Sequence, residues 1–173
     1  MQEDFLRALE ARRNEIRSRW EALLRIERVN TPLANPAALV FMLDWSLDQI
    51  FAQLGRMRAR RKTARHTAVS THRFHCPCGR NPYLAYFEAG NQALVEALVL
   101  AQAARPGLDS DERDLALADL KVCMHDISQR EIESFCSVCQ FRAEADVSAA
   151  HAAVEEPARE EAQTPSNATA NRR

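Results

Sequence analysis

Glycine is nearly missing from this chain, at 4 of 173 residues. That scarcity, beside an abundance of Ala, Leu, Glu and Arg, withholds the turns that a many-stranded sheet needs and favours helix. The expected fold class is all-α. No run of about 18 apolar residues occurs, and the opening MQEDFLRALEARRNE has no apolar core behind basic residues, which argues against a membrane span or a signal peptide. A cytoplasmic location follows. The formal net charge is only −1, so no global field draws the chain to nucleic acid or to an anionic membrane. A Gly-rich phosphate loop, a nucleophile elbow and a His-Glu-x-x-His pair are all missing, which argues against an enzyme.

What is present reads as one domain. With 46% hydrophobic residues, residues 1–145 can bury a core of their own. Four helices are expected, over about 3–28, 36–62, 82–104 and 110–144, forming a four-helix bundle. The first carries Phe5, Leu9, Ile16, Trp20, Leu23 and Leu24 at three- and four-residue steps, the period of an amphipathic helix. The second places Leu39, Met42, Leu43, Leu47, Ile50, Phe51 and Leu54 on one side. Asn35-Pro36 and Asn81-Pro82 each read as an N-cap followed by proline at the first helical position. In 105-RPGLDSDE-112 the glycine supplies a turn, and Asp109 or Ser110 with Glu112 a capping box. Trp20, Trp45, Tyr83 and Tyr86 are read as packing residues. Residues 146–173 contain no aromatic side chain and are expected to form a disordered acidic, Ala-rich tail.

Five cysteines remain to be explained. In a reducing compartment, short-spaced pairs point to metal binding or redox chemistry before structural disulfides. Cys76-x-Cys78 and Cys136-x-x-Cys139 are two such pairs, and structural zinc is commonly held by two pairs that meet in space. If helices 3 and 4 form an antiparallel hairpin, residues equidistant from the turn lie level, because both helices rise by about 1.5 Å per residue. The midpoint of 76 and 139 is 107.5 and that of 78 and 136 is 107, in the expected turn at Gly107. The two pairs should therefore meet at the open end of the hairpin, with Ile132, Cys136 and Cys139 on one helix face. Zn2+ is preferred to an iron–sulfur cluster because the surroundings are polar and basic and no second cluster motif appears. His75 and His72 are candidate substitute ligands or hydrogen-bond partners of the ligands. Cys123 falls mid-hairpin and reads as a small core residue.

The stretch 55–80 carries a local charge of +8 without one acidic residue. Its basic patch, Arg56, Arg58, Arg60, Arg61, Lys62 and Arg65, can contact phosphates through salt-sensitive attraction. Phe74 is its one aromatic residue, too little for the stacking platform of a single-strand binder. Pairing with the acidic tail or with a protein partner is preferred to nucleic acid, and a homodimer is a further expectation.

Two resemblances bear on function. Residues 4–54, with a long first helix ending near Arg19-Trp20, a proline-broken link and an apolar second helix, resemble the RsbR-type amino-terminal helical sensor domains of bacterial stress regulators. This implies a globin-like helical fold and a signalling role. Cys-x-Cys followed by Cys-x-x-Cys is similar to the zinc switch of redox-regulated holdase chaperones. This implies that Cys76, Cys78, Cys136 and Cys139 hold zinc as thiolates and release it on oxidation. The expected function is a small non-enzymatic zinc-binding sensor or regulatory adaptor. Its alternatives are a thiol redox switch or chaperone-like protein using the same cysteines, and a nucleic-acid-associated regulator using residues 56–65.

Overall fold

A computed structural model describes residues 1–26, 36–61, 76 and 80–139, without the side chains of residues 36, 37 and 58–61. Its elements are α1 (Glu3–Ala11), α2 (Arg13–Ile26), α3 (Pro36–Leu39), a 3-10 turn (Val40–Met42), α4 (Leu43–Arg61), α5 (Pro82–Ala103) and α6 (Ser110–Val138). Among the described residues every element is helical, and no helix is long and apolar enough to cross a membrane. Asn35, the proposed tail and the link between α4 and Cys76 lie outside the described residues.

The apolar pattern over 3–28 is carried by two helices rather than one. Arg12, at φ −96° and ψ 12°, closes α1, and its N–H points back to the carbonyls of Leu9 and Glu10. Both helices still turn their apolar residues inward: Phe5, Leu9, Ile16, Trp20 and Leu24 are buried. The expected helix over 36–62 is likewise interrupted, by the 3-10 turn, before α4 carries Leu47, Ile50, Phe51 and Leu54 into the same core. The expected fourth helix stops at Val138, because Cys139 adopts an extended backbone at φ −75° and ψ 115°.

α1 and α2 pack against α5, α5 against α6, α6 against α4, and α4 back against α1 and α2. One continuous apolar cluster lies between them. α5 is buried over an unusually broad face, because it meets α1, α2 and α6 together; Tyr86, read from the sequence as a packing residue, is buried, and so are Ala89, Gly90 and Ala93. The small residues matter here. The Trp20 ring lies directly over Gly90, and its Nε1–H donates to the Tyr86 carbonyl at 2.9 Å. The Tyr86 hydroxyl pairs with Ser46 of α4 at 2.9 Å, so one buried polar chain links α2, α5 and α4.

Charged contacts trim the edges. Arg19 of α2 grips Glu96 of α5 at 2.7 and 2.9 Å, while Arg13 and Arg17 reach Asp48 and Asp44 of α4. The Met1 amino group is ion-paired with Asp119 of α6, both fully buried. The capping box does not form. Asp109 caps α6 without a side-chain bond, and Glu112 instead accepts from Gln2 at 2.9 Å. Trp45 is 44% exposed and Phe41 88%, so Trp45, unlike Trp20 and Tyr86, is not a core residue.

Candidate metal centre

The α5–α6 hairpin brings the site together. Gly107, the turn residue, sits at φ +89°, in the left-handed region that glycine enters without a side-chain clash. From there the helices run antiparallel, with Gln102 of α5 bonded to the Arg113 carbonyl of α6 near the turn. At the far end the Tyr83 and Phe135 rings meet edge to face at 6.0 Å. The start of α5 and the end of α6 are therefore level.

Asn81-Pro82 fixes where α5 starts. The Asn81 Oδ1 accepts from the Tyr83 N–H at 3.0 Å, and Pro82 occupies the first helical turn, where no N–H is needed. Upstream of that cap the chain delivers Cys76, buried at 5% exposure, to the last turn of α6. There the Sγ atoms of Cys76 and Cys136 lie 3.4 Å apart. These residues are 60 apart in sequence, and the level hairpin is what closes the gap.

Cys139 is half-buried and lies one residue past the end of α6. Its N–H bonds the Cys136 carbonyl at 3.4 Å in a closing turn. Cys78, His72 and His75 lie outside the described residues. Among the described residues, no three Cys, His, Asp or Glu side chains converge as a metal-holding group. The part of the donor set that is described is the Cys76–Cys136 thiol pair, with Cys139 adjoining in sequence. Cys123 takes no part. It is fully buried mid-hairpin, its thiol faces the Ile50 carbonyl at 3.6 Å, and burial pushes its pKa up to about 12.

Of the basic patch, Arg56 is exposed and bonds Gln53 on its own helix at 2.9 Å. Arg58, Arg60 and Arg61 belong to the end of α4 without described side chains, and Lys62 and Arg65 lie outside the described residues. The residue that spacing arguments missed is Asn81 itself, whose Nδ2 lies 3.1 Å from the Ile132 carbonyl and 3.5 Å from Cys136 Sγ. Its sequence signal was present: an asparagine cap uses its oxygen on the helix and leaves two amide hydrogens to be placed.

No protein-family model, curated protein or solved structure matches the chain.

Proposed function

We propose that this protein is a non-enzymatic zinc-binding four-helix bundle, acting in the cytoplasm as a sensor or regulatory adaptor for a protein partner. One Zn2+ would be held by Cys76 and Cys78 from the approach to α5 and by Cys136 and Cys139 from the end of α6. The observation that carries this reading is the 3.4 Å separation of the Cys76 and Cys136 sulfurs. Zinc–sulfur bonds of about 2.3 Å place the sulfurs of a tetrahedral site about 3.8 Å apart. The pair would need to spread by only about 0.4 Å from its 3.4 Å to become one edge of such a site. Four thiolates leave no open position for substrate, so the ion would be structural or regulatory. It would tie the entry to α5 to the exit from α6.

The same sulfur pair supports a second reading, as a thiol switch. Two thiols and one hydrogen peroxide yield one disulfide and two waters. A disulfide of about 2.05 Å requires the sulfurs to close by about 1.4 Å from 3.4 Å, a larger movement than zinc demands, at the last turn of α6.

Metal analysis of the reduced full chain tests the first reading. It should contain about one equivalent of zinc, and Cys136→Ser should lose most of it. Less than about half an equivalent in the parent chain removes the zinc reading. Mild peroxide on the same sample tests the second: peptide mapping should find Cys76 joined to Cys136, reversibly by thiol, and cysteines that stay reduced remove it.

A further inference from the structure

Asn81 stands at the junction of the cap, the hairpin and the thiols. It is buried to 5% exposure, and its amide has all three of its polar directions engaged. Oδ1 accepts from the Tyr83 N–H at 3.0 Å, while Nδ2 faces the Ile132 carbonyl at 3.1 Å and Cys136 Sγ at 3.5 Å. The orientation of the amide is determined by its partners. Turning it over would set Oδ1 against the Ile132 carbonyl and Nδ2 against the Tyr83 N–H, two repulsive contacts in place of two hydrogen bonds.

We infer that Asn81 is a positioning residue of the metal centre, its side-chain N–H donating to the Cys136 sulfur that ligates the ion. This rests on the zinc reading of the cysteine pairs. The physical reason is that a hydrogen bond to an anionic sulfur is stronger than one to a neutral thiol. Asn81 therefore orients the Cys136 sulfur and anchors it to the first turn of α5. Metal-bound groups are commonly held in this way by outer hydrogen bonds, whose removal weakens metal binding by about 10–100-fold. Helix start and metal site then share one side chain, so an ion at the thiols stabilises the α5 cap and a formed cap prepares the site.

Asn81→Ser separates the two roles. Serine is as good an N-cap as asparagine, and the Ile132 carbonyl retains a helical acceptor position in α6, so the metal-free variant should melt close to the parent. Its side chain is too short to keep the donation to sulfur. Competition titrations of the full reduced chains with zinc, and cobalt(II) spectra, should show intact folding and affinity about 10–100-fold weaker. Equal affinity in Asn81→Ser and parent overturns the inference and leaves the zinc reading standing; a parent chain that takes up neither metal removes both. If the variant loses metal-free stability while its folded fraction binds zinc as tightly as the parent, Asn81 is only a structural cap and the inference fails. Should Asn81→Ser not fold, the parent loaded with cadmium-113 decides the matter. The Asn81 side-chain amide proton should show scalar coupling to cadmium through the Cys136 sulfur, and a loaded site without that coupling overturns the inference.

Discussion

Replacing Gly90 by alanine sets local preference directly against packing. Alanine is favoured over glycine in a helix interior by about 1 kcal/mol, so at an open position Gly90→Ala would stabilise α5. At this position an added Cβ would lie 2.3 Å from Trp20 Cζ2, 2.5 Å from Cε2 and 2.7 Å from Cη2. Carbon atoms pack at about 3.5–4.0 Å, so the indole must move by roughly 1 Å or α2 must back away from α5. Neither movement is free, because Trp20 is fully buried and its Nε1–H is tied to the Tyr86 carbonyl. Overpacking a closed core costs about 1–3 kcal/mol, and leaving the indole N–H without its acceptor about 1–3 kcal/mol more. Against a propensity gain of about 1 kcal/mol, the net is a destabilisation of about 1–5 kcal/mol, centred near 3. Urea denaturation followed by circular dichroism should show the midpoint of Gly90→Ala falling with little change in slope. Trp20→Phe removes the ring atoms that the new methyl meets, so the double variant should be less destabilised than the two single effects combined, by about 0.5–3 kcal/mol. A Gly90→Ala protein as stable as the parent, or more so, would refute the close approach of α2 to α5.

Glu96 gives a pH test of the same α2–α5 interface. Its carboxyl is held down to about 2, first by the hydrogen bond from Arg19 and then by that from Gln92. A depressed carboxylate contributes stability that is complete above the ordinary value of about 4.3 and disappears as pH falls through the folded value. Melting temperatures of Glu96→Gln should therefore lie slightly below the parent at about pH 7, with the gap shrinking between about pH 4 and 2. Both partners are exposed, so the effect is small and weakens with salt; a gap that does not change with pH would contradict the pairing. Cys123, with its thiol raised to about 12 by burial, should resist iodoacetamide in the folded protein at about pH 8 and react once urea is added. Mass mapping that finds Cys123 labelled in the native state as fast as in urea would remove it from the core.

The site was legible in the sequence to the extent that it depends on distance along two helices. The helix start at Asn81-Pro82 and the turn at Gly107 place residues near 76 and near 136 at the same level, and Cys76 and Cys136 meet there. The end of α6 was not legible: the apolar spacing runs on to about residue 144, whereas the helix ends at Val138. The break at Arg12 also carried no proline or glycine to announce it. Glu112 answered Gln2 across space and not its own helix N-terminus, a competition between partners that no local motif registers.

Periodicity and caps are properties of neighbouring residues, so the amino-acid sequence by itself determined the all-helical class, the two ends of α5, the inward residues of α4 and the level at which the thiols meet. Which side chains occupy one volume depends on how helices lie against each other, and that only the tertiary structure decided. It made Gly90 a seat for Trp20, left Trp45 at the surface, and turned Asn81 from a helix cap into the contact that joins α5, α6 and Cys136. The physical reason is range: capping and amphipathic spacing act within about one turn of helix, while hydrogen bonds and core packing join whatever the fold brings together.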